Sequence, residues 1–80
     1  MSGYRVAYTD LARSGYAALD ANQRRAFDGD VAAMARDPYA WGDPIRGNRD
    51  RRSAALGGVI TEYEISAGVL TVTMLKVVGI

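Results

Sequence analysis

Between Gly57 and Val78 the chain reads GGVITEYEISAGVLTVTMLKVV, and its apolar positions recur every second residue, the period that puts side chains on alternate faces of a strand. In the first run Val59, Thr61, Tyr63 and Ile65 share one face, and Ile60, Glu62 and Glu64 share the other. In the second run Leu70, Val72, Met74 and Val78 share a face that only Lys76 interrupts, while Val69, Thr71, Thr73, Leu75 and Val77 share the opposite one. Neither face of this second run is fully polar, which predicts a strand with neighbours on both sides. Ser66-Ala67-Gly68 separates the runs and predicts an antiparallel hairpin, with Gly68 free to take a positive φ.

Upstream, Tyr4, Val6 and Tyr8 alternate with Arg5 and Ala7, predicting a short half-buried strand. The period then changes. Leu11, Ala12, Gly15, Tyr16, Ala18 and Leu19 form one apolar stripe of a helix that Thr9 or Asp10 would cap. Gly15 costs about 1 kcal/mol relative to Ala in such a helix, and a residue that small would let another helix come close. Asp20-Ala21-Asn22 breaks the helix and caps a second one, Gln23 to Arg36. There Phe27, Val31, Met34 and Ala35 face the sheet, and Arg24, Arg25, Asp28, Asp30 and Arg36 form a solvated face.

Pro38 ends the second helix because it disfavours helical geometry at Asp37 and lacks a backbone N–H. Asp37-Pro38 and Asp43-Pro44 bracket Tyr39-Ala40-Trp41-Gly42, read as a loop crossing to the sheet, with Trp41 and Tyr39 plugging the end of the core. Ser53 to Leu56 is a short strand feeding the hairpin. The predicted order is β-α-α-β-β-β, a single α+β domain over residues 1–80. Two helices would cover one face of a small, curved, mostly antiparallel four-stranded sheet and leave its other face open.

Composition narrows the chemistry. Eighty residues bury only about 60% of their unfolded surface, so each core side chain matters. The chain has no cysteine and no histidine, which removes disulfides, thiolate metal sites and Ser-His or Cys-His catalysis. No cofactor or metal is implied. The N-terminus lacks a basic region followed by an apolar run, and no apolar segment approaches the roughly 20 residues that span a bilayer, so a cytoplasmic protein without membrane contact is expected. Net charge is only +1, yet Arg46, Arg49, Arg51 and Arg52 fall together, opposed locally by Asp50. Arginine offers a planar fork suited to phosphate, so this cluster is the one stretch with the signature of a partner site. Ile60, Val72 and Met74 form the candidate surface for a protein partner.

The order and punctuation resemble the RelE/ParE superfamily of bacterial toxins from type II toxin–antitoxin modules. The features that carry the resemblance are Asp37-Pro38 after the second helix and Ile45-Arg46-Gly47, where the family has a Leu-basic-Gly turn. Gly58 and the strand Val59-Ile60-Thr61-Glu62-Tyr63-Glu64-Ile65 follow, and Val69 to Val78 matches the last strand. The resemblance implies a toxin that inhibits translation by binding, and cleaving, messenger RNA on the ribosome, without a metal, through cations that stabilise charge on phosphorus. On that resemblance Arg46, Arg49, Arg51, Arg52 and Lys76 are the candidate RNA-binding set, and Arg51, Arg52 and Lys76 among them are the candidate catalytic cations. The family's strand arginine falls on Ile60 and its preceding basic positions fall near Ser53 and Ala55; many relatives also continue beyond the position of Ile80 with a basic segment and an aromatic residue. A non-catalytic binding protein, such as a gyrase inhibitor or a degenerate toxin, is the alternative. The implied partners are a cognate antitoxin, the ribosome and its messenger RNA, with a homodimer left open.

Overall fold

The computed structural model describes residues 3–79. A strand β1 (Arg5–Tyr8) leads into helices α1 (Asp10–Ala17) and α2 (Ala21–Arg36), followed by a short 3-10 turn at Pro38–Ala40. Four further strands complete the chain: β2 (Asp43–Ile45), β3 (Asn48–Leu56), β4 (Val59–Ser66) and β5 (Thr71–Val78). They form one sheet in the order β1-β5-β4-β3-β2. Only β1 and β5 run parallel; the other pairs are antiparallel. The helical pair carries the chain from β1 at one edge of the sheet to β2 at the other, and β5 comes to lie beside β1 only after the antiparallel run of β2, β3 and β4.

Both helix starts follow from local chemistry. Thr9 caps α1, its hydroxyl accepting from the Ala12 N–H at 3.1 Å. Asp20 and Gln23 form a reciprocal capping box on α2, at 2.7 and 2.9 Å. Phe27, Val31 and Met34 then enter one buried cluster with Leu56, Val59, Tyr63, Ile65, Val72, Met74 and Val77. Fully burying a side chain such as Phe27 contributes about 2–3 kcal/mol, so this stripe fixes the helices to one side of the sheet.

Several expectations are corrected. The sheet has five strands, because Asp43–Ile45 pairs with β3 where the two Asp-Pro steps read as loop. Proline is tolerated there since β2 is an edge strand. β3 begins at Asn48 rather than Ser53, so Arg49, Arg51 and Arg52 lie on a strand. Gly15 accommodates a strand, not a helix: a Cβ at that position would collide with the Val77 carbonyl oxygen. In the β4–β5 turn the left-handed residue is Leu70, φ 48°, rather than Gly68.

The most consequential difference is in β5. Tyr63 pairs with Met74 but Glu62 pairs with Lys76, which leaves Leu75 as an extra, bulged residue. Past the bulge the faces exchange: Val77 is buried in the core, whereas Lys76 and Val78 emerge on the open face. The start of α1 pins this irregularity. Thr9 donates its backbone N–H to the Met74 carbonyl at 3.0 Å, and its hydroxyl donates to the Met74 and Leu75 carbonyls at 3.2 and 3.1 Å.

Candidate functional site

The open face of the sheet is built by alternation. Residues that are neighbours across the strands share it: Arg51, Ser53 and Ala55 on β3; Ile60, Glu62 and Glu64 on β4; Thr73, Lys76 and Val78 on β5. At the β2–β3 end, Ile45 pairs with Asn48 around a two-residue turn in which Arg46 and Gly47 have φ 54° and 77°. Two consecutive positive φ values suit the twist of a tight hairpin, and the turn carries Arg46 to the rim. A shallow cleft of about 370 Å³ opens here, lined by Ile45, Arg46, Asn48, Arg51 and Glu62.

The five candidate cations separate into three environments. Arg46 and Arg51 line the cleft, and Lys76 is exposed on the same face, opposite Glu62. Arg51 also approaches Glu64, its cross-strand neighbour, at 3.5 Å; both side chains are nearly half exposed (46% and 43%), so the pair is worth no more than about 1 kcal/mol and yields readily to a competing anion. Arg49 lies with its guanidinium 4.5 Å from the centre of the Tyr39 ring. The Tyr39 hydroxyl donates to Asp50 at 2.6 Å, and this hydrogen bond to a carboxylate raises its pKa.

Arg52 belongs to the core face. It is only 9% exposed and donates to three carbonyls, those of Trp41 at 2.8 Å, Arg49 at 3.1 Å and Gly42 at 3.1 Å. The Tyr63 hydroxyl reaches the same region, donating toward the Pro38 and Trp41 carbonyls at 2.9 and 3.0 Å. Burial raises the Tyr63 pKa, with Arg52 pulling the other way. The guanidinium of Arg52 therefore fastens the Pro38 to Gly42 segment to β3 and is not presented to a phosphate.

The candidate partner surface is also corrected. Ile60 is 45% exposed, but Val72 and Met74 are wholly buried beneath the helices. The neighbour of Ile60 on the open face is Val78, directly opposite it and 41% exposed. This apolar pair was hidden in the sequence because strict alternation assigns Val78 to the face of Val72. Glu62 is the cleft residue that the cationic pattern passed over; its place on the face of Ile60 is readable from the period of β4.

A second cavity, about 390 Å³, lies on the helical side between Tyr8, Arg13, Tyr16 and Asp28. Its lining is mainly phenolic, with one cation set against one carboxylate, so it lacks the surplus of positive charge that a polyanion requires. Tyr16 donates to Asp28 at 2.9 Å, and burial pushes the pKa of Tyr8 up to about 12. Among the described residues no cluster of three or more potential metal ligands occurs, and no helix is long and apolar enough to cross a membrane.

The fold is that of the RelE toxins. A chain of the toxin–antitoxin complex RelBE2 from Mycobacterium tuberculosis superposes with a TM-score of 0.86 at 26% identity, covering 99% of this chain and 100% of its own. An arginine-to-alanine double mutant of E. coli toxin RelE in the free state gives 0.82 at 16% identity, with 98% and 84% covered. The intact E. coli RelBE complex gives 0.80 at 17%, with 96% of each chain covered. No family model matches the sequence, and no curated protein matches it.

Proposed function

We propose that this protein is the toxin of a type II toxin–antitoxin module, inhibiting translation by binding messenger RNA on the ribosome and cleaving it through attack of a 2′-hydroxyl on the adjacent phosphate. The observation that carries the reading is the convergence of Arg46 and Arg51 in one cleft on the uncovered face of a RelE fold, with Lys76 raised onto that face by the β5 bulge. Arg51 and Lys76 stabilise charge on the phosphoryl group, and Arg46 and Arg49 hold the flanking backbone. Two of the similar structures are toxin–antitoxin complexes, which supports a cognate antitoxin as partner. Exposed Ile60 and Val78 give such a partner an apolar foothold beside the cleft. A ribosomal target places the protein in the cytoplasm.

The uncharged residues on the same face, Ser53, Ala55 and Ile60, favour a second reading, in which the protein blocks its target without cutting. One experiment separates the two. Translating ribosomes are incubated with the protein and messenger 3′ ends are mapped. New ends inside coding sequence, lost in Arg51→Ala, are expected. Inhibition without new ends would favour the second reading with the ribosome as its target, and unimpaired synthesis would end the translational role and leave the second reading only a target off the ribosome, such as gyrase.

A further inference from the structure

We propose that Glu62 is the general base of the cleavage reaction, accepting the proton of the attacking RNA 2′-hydroxyl; this rests on the reading of the cleft as an RNA-cleaving site. Among the residues that line the cleft, Glu62 alone offers a carboxylate. The side chains of Arg46, Arg51, Asn48 and Ile45 offer no proton-accepting group of useful basicity. Histidine, the usual base in such chemistry, is absent from the chain.

The two carboxylates of β4 are not equivalent. Glu64 is engaged by Arg51, whereas Glu62, among the described residues, has no ion pair within 4 Å and no side-chain hydrogen bond. Glu62 is half-buried, so a ribose at the cleft mouth can reach it. Its cross-strand neighbours are Ser53 on one side and Lys76 on the other. A proton acceptor thus lines the same cleft as Arg46 and Arg51, with Lys76 at the cross-strand position on β5, so that one group can take the proton while others meet the charge that moves onto phosphorus.

The step balances without a co-reactant. The 2′-oxygen forms a bond to phosphorus and its proton passes to the Glu62 carboxylate. The bond from phosphorus to the 5′-oxygen breaks, and that oxygen is protonated by solvent water. The products are a 2′,3′-cyclic phosphate and a 5′-hydroxyl, and the protonated Glu62 returns its proton to solvent.

Removing the carboxylate should have effects of opposite sign on binding and on turnover. With programmed ribosomes carrying a short messenger, Glu62→Gln is expected to slow single-turnover cleavage by about 100-fold or more and to abolish the acidic limb of its pH–rate profile. RNA affinity should stay equal or rise, because a negative charge beside the phosphates is gone. Denaturation of the variant serves as the check on folding. Cleavage by Glu62→Gln at the wild-type rate overturns the role while leaving the function intact, as does a variant that loses binding and cleavage in parallel. A wild-type protein that inhibits without cutting overturns both.

Discussion

Arg51 and Arg52 are adjacent, identical in type and opposite in expected consequence. Arg52→Ala removes three charge-assisted hydrogen bonds to the Trp41, Gly42 and Arg49 carbonyls. At about 1.5–3 kcal/mol each, a simple sum exceeds 4 kcal/mol. The sum overstates the loss, because the variant no longer bears the desolvation of a buried guanidinium and water can reach carbonyls near the rim. We expect about 3 kcal/mol. An 80-residue domain has only about 4–12 kcal/mol in total, so the loss is a large fraction of stability. In thermal denaturation it corresponds to a fall of about 12–24 °C, and in urea, at about 1 kcal/mol per molar, to a midpoint lower by about 3 M. Arg51→Ala gives up one half-exposed ion pair and should stay within about 0.5 kcal/mol of wild type while losing RNA affinity. Arg52→Lys, a point charge in place of a fork, should fall between wild type and Arg52→Ala. Equal midpoint shifts for Arg51→Ala and Arg52→Ala, or an Arg52→Ala protein as stable as wild type, would refute the assignment of Arg52 to the scaffold.

Two further tests concern the fold. Gly57 has φ 59°, and a Cβ there would run into the backbone of α2 at Ala26 and Phe27, whereas Gly58, φ 80°, faces open space. Gly57→Ala should therefore lose at least about 2 kcal/mol and Gly58→Ala about 1 kcal/mol, so melting temperatures that fall equally would contradict the close approach of α2 to this turn. The Tyr8 phenol, pushed up to about 12 by burial first and the charge of Asp28 second, binds its proton more tightly when folded than when unfolded, near 10. Its contribution is fully present below pH 10 and is lost as the pH rises from 10 through 12; solvent screens the half-buried phenol, so the loss is about 1 kcal/mol. Urea midpoints at pH 9 and pH 11.5 should differ less in Tyr8→Phe than in wild type; an unchanged difference would place the titration elsewhere.

How much of this was legible beforehand depends on the range of the interactions. The Phe27, Val31, Met34, Ala35 stripe is a local pattern at helical spacing, and all four residues are buried as the period requires. The caps are local too, because an N-cap bonds within the next three residues; the sequence leaves Thr9 and Asp10 open and marks only the stretch Asp20-Ala21-Asn22, and the structure selects Thr9 and Asp20. The β4 alternation survives intact, with Val59, Thr61, Tyr63 and Ile65 all buried. The β2 strand was not legible, since three residues containing a proline become a strand only when a partner lies alongside.

The sequence by itself determined two helices, the short stretches that cap them, the inner face of β4 and the presence of an arginine-rich stretch, because each is encoded by residues within a few positions of one another. Tertiary structure decided which of those arginines is free. It buried Arg52 against carbonyls ten and eleven positions away, left Arg51 beside Glu64, and used one bulged residue, Leu75, to turn Lys76 outward and Val77 inward. A period of two holds only while every residue has a cross-strand partner. Whether one is skipped depends on the register of the neighbouring strand and on Thr9, far away in the chain, which no window of local sequence contains.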